Sequence, residues 1–63
     1  MIKALKSAHA EELADAEKYR ELAASAPEKY AAILRDIARE EECHARHLKE
    51  IIDDMGTAEE PEE

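Results

Sequence analysis

Apolar side chains recur along the second half of the chain at alternating steps of four and three residues. Such spacing places side chains on one face of an α-helix that packs against other helices. The positions are Tyr30, Leu34, Ile37, Glu41, His44, Leu48, Ile51 and Met55. Two neighbouring members, Glu41 and His44, are polar, and the others are apolar or aromatic. The pattern predicts a long amphipathic helix with one polar layer in the middle of its buried face.

The first half of the chain carries the same pattern, at steps of three and four residues. Its positions are Ile2, Leu5, His9, Glu12, Ala16, Tyr19 and Ala23. The polar members are again neighbours, His9 and Glu12. A second amphipathic helix is therefore predicted, also with a polar layer on its packing face.

Pro27 separates the two periodic segments. Proline disfavours helical backbone at the residue before it and suits the first turn of a new helix. We therefore predict one helix over about residues 2–24 and another over about 27–55. The short break between them indicates an antiparallel hairpin.

Gly56 follows the second segment, at the position where a glycine commonly ends a helix. The hairpin domain is accordingly expected to span residues 1–56. Residues 57–63 are rich in glutamate and contain no large apolar side chain. We expect them to form a disordered acidic tail.

When the chain is folded at Pro27, the polar layers of the two helices coincide. Glu41 comes opposite Glu12, and His44 comes opposite His9. Two buried carboxylates in one layer repel each other unless one takes up a proton or a cation lies between them. The layer therefore predicts a metal site. The alternative is that the polar residues only fix the register of a structural helical dimer.

The chain is too short to bury a large core by itself, with 63 residues. Its single cysteine, Cys43, excludes an internal disulfide, so metal binding and self-association remain as sources of stability. One hairpin offers one apolar face. We therefore expect two copies to pack face to face into an all-α four-helix bundle and to share the site.

The charge of the chain bears on its partners. There are 17 acidic and 9 basic residues, and the net charge is −8. This sign repels nucleic-acid phosphates and attracts cations, so we expect no nucleic-acid partner. No stretch has the apolar length of a signal peptide or of a membrane span. We therefore expect a cytoplasmic protein with no membrane partner.

Four further side chains lie near the predicted site. His9 is an extra ligand, a residue behind the ligands or a residue at the edge of the face, and the pattern does not choose among these. Tyr19 is expected to be a core residue whose hydroxyl can hydrogen-bond a ligand carboxylate. The roles of His47, one step off the face, and of Cys43 stay open, with an exposed side chain expected for the first and a packing residue for the second.

Both predicted helices resemble those of a known superfamily. Glu12 followed by Tyr19 and Leu22 resembles the first helix of a ferritin-like half-bundle. Residues 37–48 resemble its partner helix, which in rubrerythrins and ferritins reads roughly I-A-x-E-E-x-x-H-A-x-x-L. The resemblance covers about residues 8–52.

This resemblance implies a non-haem di-iron site of the ferroxidase type. In it, Glu12 is the carboxylate of the first helix, Glu41 the bridging carboxylate and His44 the imidazole ligand. Manganese or zinc could substitute for iron at such donors. The implied reaction is oxidation of Fe(II) to Fe(III) by O2 or peroxide. The alternatives are a module that binds metal without turnover and the purely structural dimer.

The chain departs from ferritins and rubrerythrins in having two helices where they have four. The site must then be shared across a homodimer, and a dimer of dimers or a ring satisfies the same face. The small encapsulated ferritin-like proteins that it resembles assemble into rings, which implies a shell protein as a partner and a location inside a protein nanocompartment. There is no rubredoxin-like cysteine knuckle, so peroxidase chemistry of the full rubrerythrin type is not expected.

Overall fold

The computed structural model describes residues 1–57, which form two packed helices. Helix α1 spans Ile2–Ser25 and helix α2 spans Glu28–Thr57. Because only Ala26 and Pro27 join them, the two helices run antiparallel along one another. The described residues contain no strand. The expected all-α hairpin is therefore confirmed.

The break between the helices follows from the backbone of two residues. Ala26 is extended, with φ −88° and ψ 155°, as expected for a residue before proline. Its N–H donates to the carbonyl of Ala23 at 3.4 Å, which satisfies one of the last carbonyls of α1. Pro27 comes directly before α2, and its carbonyl accepts the N–H of Ala31 at 2.8 Å, which is the first hydrogen bond of that helix.

The helix ends differ from the predicted ends by one or two residues. Helix α1 extends one residue past Ala24, and α2 continues past Met55 to Thr57. Gly56 therefore lies inside α2 and does not cap it, and its backbone is not left-handed. Thr57, which we expected in the tail, is helical. The rest of the expected disordered tail, 58–63, lies outside the described residues.

Small side chains form the contact between α1 and α2. The buried residues are separated by seven or fourteen positions on each helix, and Ile2 is the one large side chain among those of the described residues that are buried. They are Ile2, Ala16, Ala23, Ala31, Ala38 and Ala45. Alanine lets two helix backbones approach closely, so this stripe lies between the helices.

The alanine stripe leaves the larger apolar residues of the predicted face outside the contact between α1 and α2. Tyr30 is 51% exposed and Ile51 is 43% exposed, whereas Leu34 and Leu48 are only half-buried. These residues lie beside the alanine stripe and not on it. These four larger apolar side chains are thus left on one side of the hairpin.

The hairpin is long and only one helix thick. It measures 47 × 15 × 11 Å, and its radius of gyration is 14.6 Å, whereas a compact domain of this length has about 11 Å. Each helix therefore packs against the other along one side, and this chain leaves the rest of its surface uncovered. Over the described residues, neither helix is long and apolar enough to cross a membrane.

Candidate metal centre

One glutamate of α1 meets a glutamate and a histidine of α2 midway along the hairpin. One potential ligand atom each from Glu12, Glu41 and His44 lies within 4.8 Å of the others. Nδ1 of His44 is 3.7 Å from Oε1 of Glu12 and 3.6 Å from Oε1 of Glu41. Both carboxylates are half-buried and the imidazole is exposed. The structure thus brings together the three side chains that the sequence predicted as ligands.

The local structure explains why these three groups converge. Glu41 and His44 are three residues apart, which places both on one side of α2. The alanine contact holds α1 close enough for Glu12 to reach them. Ala16 and Ala38 are both buried in that contact. Glu12 lies about one turn before Ala16 and Glu41 about one turn after Ala38, so on antiparallel helices the two glutamates lie at the same level.

The two carboxylates perturb each other. The pKa of Glu41 is raised, mainly because a proton on Glu41 is shared with Glu12 in a hydrogen bond. Partial burial and the negative charge of Glu12 act in the same direction, and His44 opposes them. The cluster therefore favours a positive species, either a proton or a cation, between its carboxylates.

The donor set fits iron. Two carboxylates and one imidazole suit iron, manganese and zinc, whereas calcium and magnesium prefer sites made of oxygen alone. Three protein donors also leave coordination positions for other groups. Among the described residues, this is the one group of three or more His, Cys, Asp or Glu side chains with such spacing.

The other predicted residues stay outside the cluster. His9 is half-buried and lies seven residues from Ile2 and from Ala16, so it belongs to the alanine stripe. Its expected position opposite His44 is therefore shifted by about one residue of register. Tyr19 is half-buried on the same side of α1 as Glu12, and its hydroxyl makes no hydrogen bond with another described residue.

His47 and Cys43 also lie away from the three ligand candidates. His47 is exposed. Cys43 is a free, half-buried thiol whose Sγ accepts an N–H from Arg46 at 3.5 Å. Neither residue belongs to the group of potential ligands.

The cluster is surrounded by the apolar face that the sequence predicted. Most residues of that face are exposed or half-buried. Leu34 and Ile37 precede Glu41 on this side of α2, and Leu48 and Ile51 follow His44. We call it the site face. It comprises Leu5, Glu12, Tyr19, Leu22, Tyr30, Leu34, Ile37, Glu41, His44, Leu48, Ile51 and Met55. The ligand candidates therefore lie in the middle of an apolar surface that the hairpin does not cover.

An ion pair between the helices was not predicted. Arg20 of α1 donates to Glu42 of α2 over 2.7 Å from Nη1 to Oε2. Glu42 follows Glu41 by one residue, so the ion pair lies on the other side of the alanine stripe from the cluster. The heptad pattern contains no signal for it, because neither residue is a member.

The sequence profile of the Rubrerythrin family matches residues 3–63. Neither the curated proteins nor the solved structures include a match to the chain. The family match covers nearly all of the chain, including both helices and all three ligand candidates. The chain therefore belongs to the Rubrerythrin family, which is part of the ferritin-like superfamily.

Proposed function

We propose that this protein binds iron at a di-iron site shared by two copies of the chain and oxidises Fe(II) to Fe(III). The observation that carries the proposal is the convergence of Glu12, Glu41 and His44, whose ligand atoms lie within 4.8 Å of one another. Membership of the Rubrerythrin family supports the same metal.

A site shared by two copies is supported by the number of ligands that a single hairpin supplies. One chain offers two carboxylates and one imidazole. Ferritin-like di-iron proteins use a glutamate from each of two helices and a Glu-x-x-His pair from each of the other two. Two copies related by a twofold axis through the cluster would supply that set.

The exposed apolar residues of the site face could be buried by a second copy of the chain. Leu22 is 49% exposed, and Tyr30 and Ile51 are exposed to a similar extent. Large contiguous apolar patches on a protein surface mark sites of interaction with other proteins. Their burial between two hairpins would also remove water from around the cluster.

Each cluster residue has a role in the proposed reaction. The carboxylates of Glu12 and Glu41 offset the positive charge of bound iron, and they offset it more strongly in the ferric state than in the ferrous state. The imidazole of His44 supplies a neutral donor. Bound Fe(II) provides one electron per iron, so two irons reduce O2 to peroxide, or peroxide to water, with uptake of two protons.

The proposal is tested by titrating metal-free protein with Fe(II) under anaerobic conditions and then admitting air. We expect saturation near one iron per chain, followed by oxygen uptake and a new near-ultraviolet absorption of ferric iron. Glu41→Ala should abolish the oxygen uptake and leave helix content unchanged. Glu40→Ala is the matched control, because Glu40 is an exposed neighbour outside the cluster.

Other outcomes point to other functions. Saturable binding without oxygen uptake would indicate a protein that holds metal without turnover. If Fe(II) does not bind at all, the polar layer only fixes the register of the helices, and the proposal is wrong.

A further inference from the structure

Residues 40–42 are three consecutive glutamates, and only the middle one belongs to the cluster. Successive residues of an α-helix point about 100° apart. Only a rotation of α2 by about that angle would turn a neighbouring carboxylate fully toward Glu12, but a smaller rotation already moves Glu41 away from it. The position of Glu41 against Glu12 therefore depends on how closely the rotation of α2 is fixed.

The alanine stripe decides which side of α2 faces α1, but it constrains small rotations and sliding only weakly. Ala31, Ala38 and Ala45 present small, similar side chains to α1, and Ile2 is the one large buried side chain among the described residues. A smooth contact of this kind fixes the distance between two helices better than it fixes their rotation or their sliding.

The ion pair between Arg20 and Glu42 supplies a directional constraint. In the register set by Glu12 and Glu41, its two residues are offset by about 13.5 Å along the helix axis. Side chains on a helix lean toward its N-terminus, so on antiparallel helices these two lean toward each other. The 2.7 Å contact is therefore a diagonal link between the helices, on the side opposite the cluster.

We propose that Arg20 and Glu42 are positioning residues that fix the rotation and the register at which Glu41 lies against Glu12. The ion pair engages Glu42 on the side of α2 away from the cluster and thereby limits both the rotation and the sliding of that helix. This inference rests on the proposed metal-binding function. It assigns the two residues no contact with the metal.

The effect on metal binding is expected to be small, because both side chains are more than two-fifths exposed, at 44% and 42%. Exposed ion pairs are worth enough to change an equilibrium by about two- to fivefold. Arg20→Gln and Glu42→Gln should each weaken binding of Co(II) by that factor and alter its visible absorption spectrum, measured anaerobically. Helix content by circular dichroism should be unchanged.

The two variants distinguish a positioning effect on metal binding from a long-range effect of charge. Arg20→Gln removes a positive charge, and Glu42→Gln removes a negative one. A long-range charge effect would strengthen cation binding in the first and weaken it in the second, whereas a positioning effect weakens both. The double variant should bind no more weakly than either single variant, because the link is already lost in each.

The matched control is the ion pair between Arg35 and Glu28, which has an N–O distance of 3.1 Å and lies within α2 alone. Arg35→Gln should bind Co(II) as the unmodified chain does. Opposite shifts for Arg20→Gln and Glu42→Gln, additive losses in the double variant, or losses no larger than that of Arg35→Gln would overturn the inference. Failure of the unmodified chain to bind Co(II) would instead overturn the proposed metal site, and the inference with it.

Discussion

Glu41 holds a proton more tightly than an ordinary glutamate does, because Glu12 lies beside it. A carboxyl group whose pKa is raised in the folded state binds more protons there than in the unfolded state. The stability of the metal-free protein therefore falls as the pH rises from about 4.5, the ordinary value, through the raised pKa of Glu41. This is the reverse of the trend produced by a carboxylate in a salt bridge.

Glu41→Gln should consequently have opposite effects on stability and on metal binding. Without metal, the variant should be more stable than the unmodified chain at neutral pH and should lose the fall in stability with rising pH, because the repulsion from Glu12 is gone. Its affinity for Fe(II) should drop. Thermal melting of chelator-treated protein between pH 4 and pH 8 measures the first effect, and anaerobic titration measures the second.

Glu40→Gln is the control for both effects. It removes the same charge from an adjacent exposed position and should change neither the pH profile nor the affinity appreciably. If metal-free Glu41→Gln is less stable than the unmodified chain at neutral pH, the two carboxylates do not repel each other as described.

The residues of the cluster could be predicted from sequence because their positions repeat with the helix. Folding at Pro27 brings the polar members of both series to one layer, and Glu12 does meet Glu41 there. The link between Arg20 and Glu42 could not be predicted in this way. Long charged side chains reach across about two helical turns, and heptad positions do not describe where their ends lie.

The packing of α1 on α2 is set by alanine. Two series of residues on α2 repeat every seven positions, the alanines and the larger apolar residues beside them. Both series satisfy the heptad pattern, so the sequence alone does not decide which of them faces α1. The alanines face α1, because their small side chains allow the two helix backbones to approach more closely. The larger side chains can instead be covered by another hairpin.

Ala38→Leu should separate the two helices. The added methyl groups have no room in the contact, where Ala38 is buried, so we expect a loss of about 1–3 kcal/mol in the free energy of unfolding. Ala32→Leu, at an exposed position of the same helix, should change it by no more than about 0.5 kcal/mol. Urea unfolding of the metal-free proteins measures both, and equal losses would show that the alanine stripe is not the contact.

Gly56→Ala should stabilise the end of α2. Gly56 lies within the helix, its backbone is not left-handed, and an added Cβ would meet nothing within 4 Å. Alanine in a helix is favoured over glycine by roughly 0.5–1 kcal/mol, and a position near the helix end should gain the lower part of that range. A decrease in melting temperature would indicate that the helix stops before this residue in solution.

The whole hairpin has the dimensions of half a bundle. Its least dimension of 11 Å is that of one helix with its side chains, and most of its large apolar residues lie on the site face. Sequence reasoning predicted this shape from chain length and the apolar pattern. It does not determine how many hairpins assemble, because that depends on how two such faces fit.

Ile51→Glu should disrupt self-association. It places a charge on the site face, where Ile51 is 43% exposed, and a charge buried between two hairpins is costly. We expect the unmodified chain to be at least a dimer by light scattering and the variant to shift toward single hairpins. Its Fe(II) oxidation should fall in parallel, although Ile51 is not one of the ligand candidates.

Leu13→Glu is the matched control for this variant. Leu13 is 46% exposed but lies seven residues before Arg20, on the side of the hairpin away from the cluster. It should leave the oligomer and the oxidation rate unchanged. If assembly persists in Ile51→Glu but is lost in Leu13→Glu, the interface lies on the side of Leu13, and the site face is not the interface.

The close approach of Glu12 and Glu41 also makes metal uptake an acid-releasing reaction. Over the pH range in which Glu41 is protonated, a cation that enters must displace that proton into the solvent. Calorimetric titration in buffers of different ionisation enthalpy would count the protons released per metal bound. Acidification would then unload the centre, so the medium that receives the protons also sets how much metal the protein retains.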